Sequence, residues 1–273
     1  MRPVERALVG FALVAIAGIA VMAASARIDT LRAADEANRR AKQAARAASD
    51  SAFADSMLTL AAQENPEVRV EASELAAPER DPERIAHLLG TRTAGSYLGE
   101  LLTAHDSMNH RWPDRRLMPM RVWVQELGGE VPGWLAAYPQ LVRDAFTTWA
   151  DAGVPIHFTF VTDSARGEIH VTWIDRFDSE VTGRTRWAHD QHRWIVGGSI
   201  MLALHLPDGR PLGREAVRAI ALHEVGHLIG LDHTDDGHNI MSPRVRVSEL
   251  SEADQLTARL VYSLPPGSLK GPR

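Results

Sequence analysis

Cysteine is absent from the 273 residues, which excludes disulfides, thiolate metal sites and a cysteine nucleophile together. An excess of basic charge is also lacking. Lys and Arg number 30 against 35 Asp and Glu, a formal net charge of −5, so no electropositive footprint points to a nucleic-acid partner. No internal repeat marks a solenoid or an array. Proline and glycine are missing from residues 28–62, leaving nothing there to break a helix. What the chain does have is histidine, twelve in all and most of them in the C-terminal half.

The N-terminus speaks to compartment. Arg2 and Arg6 precede an uncharged, largely apolar stretch over residues 7–26. A basic start followed by an apolar run makes an export signal, and Ala24-Ser25-Ala26 offers small residues for cleavage. The run is also about the ~20 residues that a bilayer-spanning helix needs. Residues 1–26 therefore read as a signal anchor or a signal peptide. Either form puts the remainder outside the cytoplasm, tethered to a membrane through residues 7–26 or secreted. Residues 27–64, rich in Ala, read as a solvated helical stalk. Residues 65–110 begin with Asn65-Pro66, carry further prolines and acids, and read as a linker with short helices; one starts at Asp81-Pro82-Glu83 and another runs from Tyr97 to about Met108.

From Arg111 the patterning changes. Met118–Gln125 alternates apolar and polar residues as a strand does. Tyr138–Ala152 is an amphipathic helix with Leu141, Ala145 and Trp149 on one face. Ile156–Val161, Ile169–Ile174 and Gly198–Leu204 read as further strands, and residues 175–196 as a long polar connection. Residues 214–229 form an apolar helix. A last helix runs from Ser251 to Tyr262, opened by an acidic capping box from Ser251 to Asp254. Residues 265–273 read as a tail.

The chemistry concentrates in Ala219–His233, AIALHEVGHLIGLDH. Four residues separate His223 from His227, so on a helix they stand on one face, one above the other. Their neighbours are apolar on nearly every side, which predicts burial. Burying two imidazoles and the Glu224 carboxylate is costly unless they are paired; a bound divalent cation pairs all three. Gly230 can take a positive φ and end the helix sharply, returning His233 toward the same ion. Three neutral nitrogens leave a fourth position open, as in catalytic zinc sites, and imidazoles suit Zn²⁺ better than Ca²⁺ or Mg²⁺. Glu224, beside the first ligand, is placed to act as a general base.

His223-Glu224-x-x-His227-x-x-Gly230-x-x-His233 resembles the extended zinc signature of the metzincin metallopeptidases, and Met241, eight residues after His233, resembles the Met of their Met-turn. Within that clan the chain is most similar to the matrixins. The short His233–Met241 gap, Pro243, the Leu250–Asp254 helix start, Arg111-Trp112-Pro113, the Val122–Val124 strand and the Ala145–Trp149 helix carry the likeness, over residues 111–263. The resemblance implies an α+β domain over residues 111–264, with a twisted mixed sheet, an active-site helix, a Met-turn and a C-terminal helix. It implies a zinc endopeptidase that cuts extended polypeptides. It also implies that the strand before the active-site helix, Gly198, Ser199, Ile200, Met201 and Leu202, aligns the substrate as an edge strand, and that Pro243 walls a pocket.

The chain departs from the family in places. Without cysteine, no cysteine-switch latency operates. Residues 175–196 do not clearly match the structural zinc and calcium loops, which puts a second metal in doubt. Asp175, His189 and His192 could hold one but read better as a solvated loop. His157 and His170 read as satisfied sheet residues, His238 as a surface loop histidine, and Asp232 as either an orienting or an exposed carboxylate. Two other readings stay open: a catalytically silent peptide-binding relative, and a membrane-anchored scaffold built on residues 28–110. That region could also be a prosegment, with His105, Asp106 or His110 covering the metal.

Overall fold

The computed structural model describes residues 80–270 apart from 92, 127–130, 180 and 191. The expected signal segment 1–26, the stalk 27–64 and the first part of the linker lie outside the described residues. Among the described residues no helix is long and apolar enough to cross a membrane.

Two short helices come first, α1 (Pro82–Thr91) and α2 (Leu98–Ala104). Asp81 starts α1 by accepting the Glu83 and Arg84 amides at 3.0 and 3.2 Å, an N-cap in a position where Pro82 has no N–H to satisfy. A two-residue strand β1 (Met108–Asn109) leads to β2 (Arg115–Val124), helix α3 (Tyr138–Ala150), β3 (Ile156–Val161), β4 (Ile169–Ile174), β5 (Gly183–His189) and β6 (Ile195–Ala203). Helix α4 (Arg214–Leu228), helix α5 (Glu252–Ser263) and strand β7 (Gly267–Ser268) complete the chain.

The main sheet has the order β3-β2-β4-β6-β5. Strand β2 runs parallel to both β3 and β4, β4 runs parallel to β6, and β5 alone is antiparallel, against β6. Helices α3 and α4 pack on each other and against the strands, so the expected mixed sheet with its packed helices is present, in a mixed α/β fold. Trp149 shows how the layers interlock. Its ring is fully buried, and its Nε1–H reaches across to the Leu222 carbonyl of α4 at 2.8 Å, giving a large apolar ring the one polar contact it needs. A buried ion pair holds the sheet from within: Arg115 Nη2 lies 2.5 Å from Glu168 Oε1, and Glu168 Oε2 accepts the Arg121 amide at 2.9 Å.

Three expectations are corrected. Residues 175–196 are not simply a connection, since seven of them form β5. The strand holding Gly198–Leu202 is not an edge strand. Strand β4 bonds one side of it and β5 the other, so its N–H and C=O groups are already engaged. Ile200 and Leu202 are buried, and Gly198 lacks a Cβ because one would lie 2.4 Å from Leu228 Cδ1: close helix–sheet packing accounts for that glycine. Within the expected tail, residues 265–268 are part of the packed body. Gly267 and Ser268 pair with Asn109 and Met108, and the buried Asn109 donates to the Val261 and Pro265 carbonyls, each at 3.0 Å.

The compact body also starts well before residue 111. Tyr97, Leu98, Leu101 and Leu102 belong to the same buried core as the sheet and α4. The Tyr97 hydroxyl donates to Asp254 at 3.0 Å, and the Tyr97 amide donates to Thr257 Oγ1 at 3.1 Å. These contacts seat α2 against α5.

Candidate metal centre

Helix α4 presents His223 and His227 one turn apart and ends at Leu228 with Ile229 as its C-cap, after which Gly230 turns the chain at φ +101°. A side chain is excluded there twice over, because a Cβ would also lie 2.0 Å from the His110 carbonyl oxygen. The helix end is closed by distant side chains: Trp112 Nε1–H donates to Leu228 O at 2.8 Å and the Tyr262 hydroxyl to Ile229 O at 3.1 Å. These satisfy carbonyls that a helix C-terminus leaves orphaned. The sharp turn brings His233 back beside the other two imidazoles.

The three Nε2 atoms form a nearly equilateral triangle with sides of 3.1, 3.2 and 3.3 Å. A tetrahedron with zinc–nitrogen bonds of about 2.0–2.1 Å has edges of about 3.3–3.4 Å, so the triangle matches one face of it. Protonation points the same way. His223 Nδ1 faces Ile240 O at 2.7 Å and His227 Nδ1 faces Leu231 O at 3.0 Å. A carbonyl only accepts, so both Nδ1 atoms carry the hydrogen and both Nε2 atoms present lone pairs. Burial lowers both imidazoles, to about 4 for His223 and about 3 for His227, so neither takes a second proton near neutrality. Lone pairs converging at this spacing repel unless a cation lies among them. The donor set fits Zn²⁺.

Met241 lies fully buried beneath these residues. A Cβ on Gly226, in the helical turn between the two ligating positions, would meet Met241 Sδ at 2.3 Å and Trp149 Cζ2 at 3.1 Å. Gly226 thus lets the methionine turn close up under the helix. That turn is fixed by Ser242 N–H to Asn239 O at 3.2 Å and Thr234 N–H to Met241 O at 3.1 Å.

Glu224 is buried, and burial raises its carboxyl to about 7. Its Oε2 accepts the Thr185 hydroxyl of β5 at 2.6 Å, and a Cβ at Gly183 would sit 2.3 Å from its Oε1. Thr185 and Gly183 therefore shape the carboxylate's position. Nothing in the local sequence marks them; they meet Glu224 only because β5 crosses α4.

The site opens on a cleft of about 650 Å³. Pro243, Arg244 and Val245 form one wall, and the first residues of β5 form another. The residues considered for a second metal scatter: Asp175 has an oxygen 2.8 Å from His205 Nδ1, and His189 contacts Arg193 Nη1 at 2.8 Å. Among the described residues the only cluster able to hold a cation is His223, His227 and His233. The upstream residues considered as covers are otherwise engaged. His105 Nε2 contacts Asp232 Oδ2 at 3.0 Å, Asp106 pairs with Lys270, and His110 packs on Trp187 with ring centroids 4.8 Å apart. Asp232 is an orienting carboxylate: the His105 bond holds it well below the usual range, and its Oδ1 accepts the His233 amide at 2.7 Å. His170, in β4, is buried with Nε2 2.9 Å from Ser164 O.

Residues 135–263 match the family model described as matrixin, a peptidase family. Over that segment the chain is similar to the matrixin family. The histidine triangle falls inside the matched segment, which supports a zinc metalloprotease. The match begins just before α3, so α1, α2 and β2 lie upstream of it although β2 is central to the sheet. No curated protein gives a significant match to the chain.

Proposed function

We propose that the protein is a zinc-dependent endopeptidase, with His223, His227 and His233 as ligands and Glu224 as the general base. The Nε2 triangle carries this reading, because its spacing is that of a tetrahedral ion's ligands and its lone pairs otherwise oppose one another. Zinc, when bound, supplies Lewis acidity that acidifies a water and polarises a carbonyl. Glu224 takes a proton from the attacking water and passes it to the leaving amine. Its apolar surroundings support this, since they bring the carboxyl toward neutrality, where an acid–base group works best. The Thr185 hydroxyl fixes one carboxylate oxygen and leaves the other for proton transfer.

Strand β5 replaces β6 as the substrate-aligning strand. It is the sheet's edge beside the cleft, so an extended peptide can add to it by main-chain hydrogen bonds. Leu212, Ala216, Ile220 and Val245 line the cleft on the α4 side and would take an apolar side chain. Residues 7–26 support an extracytoplasmic location, either anchored or secreted.

The test is Glu224→Gln in the full-length protein, assayed on an unbiased peptide library with zinc content measured in parallel. Cleavage should fall by about 10²–10⁴-fold with zinc retained. Wild-type protein that shows no zinc-dependent cleavage, or a Gln variant as active as wild type, would sink the proposal.

A further inference from the structure

The three candidate ligands are not held alike. His223 and His227 each have Nδ1 fixed on a backbone carbonyl. His233 Nδ1 stands 3.9 Å from Asp232 Oδ1, beyond hydrogen-bond reach, and nearly half of its side chain is exposed. Its position is therefore set through its backbone, by whatever fixes residues 232–235.

Besides the Thr234 N–H bond to Met241 O at 3.1 Å, helix α2 supplies fixings on both sides of the ligand. On the N-terminal side of His233, Asp232 Oδ1 accepts the His233 amide at 2.7 Å, and Asp232 Oδ2 lies 3.0 Å from Nε2 of His105, the C-cap residue of α2. On the C-terminal side, Glu100 Oε2 accepts both the hydroxyl of the buried Thr234, at 2.9 Å, and the Asp235 amide, at 3.1 Å. Glu100 and His105 thus hold the loop on both flanks of the ligand. The helix carrying them is itself anchored by buried Leu98, Leu101 and Leu102 and by the two Tyr97 hydrogen bonds to α5.

We propose that Glu100 and His105 are positioning residues for the third metal ligand, so that α2 is an integral part of the metal site although it lies outside the segment matching the peptidase family. This rests on the zinc reading of the site. It also gives the residues before the matched segment a role that is neither linker nor inhibitory cover: they complete the ligand geometry.

The experiment measures zinc dissociation from full-length protein by competition with a chelating indicator, beside thermal unfolding of the metal-free form. Glu100→Ala combined with His105→Ala should weaken zinc binding by about 10–100-fold, the usual effect of removing groups that orient a ligand. The metal-free unfolding temperature should shift by only a few degrees, about what the loss of a few partly buried polar contacts causes. Glu100→Gln, which keeps an acceptor oxygen, should recover most of the affinity. If the double variant does not fold, Thr234→Val decides: it removes one of the two Glu100 bonds with little change of shape and should also weaken binding. Wild-type affinity in a folded double variant, or in Thr234→Val if that variant must decide, overturns the positioning role alone. Absence of zinc binding by the wild-type chain overturns the underlying reading instead.

Discussion

Asp254 accepts the amide of Ile240 through Oδ2 at 2.9 Å. The Ile240 carbonyl in turn accepts Nδ1–H of His223 at 2.7 Å, so a carboxylate on the last helix holds the turn that orients a candidate metal ligand. Asp254 is fully buried. Besides Ile240 it takes the Ser251 amide and hydroxyl, at 2.9 and 2.8 Å, and the Tyr97 hydroxyl, at 3.0 Å. Asp254→Ala leaves several buried donors without acceptors and should cost about 3 kcal/mol in urea unfolding. A loss within about 0.5 kcal/mol, the range of ordinary surface changes, would contradict this linkage.

Gly183 tests the placement of the candidate base separately from the metal. A Cβ there would overlap the Glu224 carboxylate, and the three atoms nearest to it all belong to Glu224. Gly183→Ala should lower kcat about 10–100-fold through misplacement of the reacting group, with zinc affinity unchanged. Equal kcat in a zinc-loaded variant would show that the carboxylate does not need this position.

Gly230 tests the turn. Both its positive φ and the nearness of the His110 carbonyl exclude a side chain. Gly230→Ala should destabilise the fold by more than about 2 kcal/mol and weaken zinc binding with it, as denaturant titration and metal competition would show. A stable, metal-binding Ala variant would mean that the turn relaxes freely.

His170 gives a pH dependence. Burial lowers its folded pKa below the ordinary 6.5, so the unfolded chain binds the proton first as pH falls. Its contribution to stability is present above about pH 6.5 and is lost progressively below it. His170→Gln should flatten the decline in urea midpoint between about pH 7 and pH 5. Parallel declines in the two proteins would remove His170 as the cause.

The legible parts of the molecule were those whose signal is local. Strands β3 and β4 carry apolar residues in compact runs bounded by turns, and both end where the sequence places them. The capping box at Ser251 forms as its spacing requires. The histidines and Glu224 lie within one helix and the turn after it, so three-residue and four-residue spacings place them. Strand β5 is not legible in the sequence because it borders a cleft: Gly183–His189 is mostly half-exposed and never shows the apolar alternation of a buried strand. Without β5 in view, β6 looks like the sheet's edge, although β5 lies outside it. The stripe Leu98, Leu101 and Leu102 is readable as amphipathic, but what covers it depends on α5, more than 150 residues later. Gly183, Thr185, Glu100 and His105 carry no motif at all; each gains its role only from contacts across the fold.

X-ray absorption at the zinc edge of the full-length protein bears most directly on the central claim. The expected first shell is three imidazole nitrogens and one oxygen at about 2.0–2.1 Å, losing an imidazole when His233 is replaced by Ala. A protein that carries no zinc, or a shell without imidazole scattering, would contradict it.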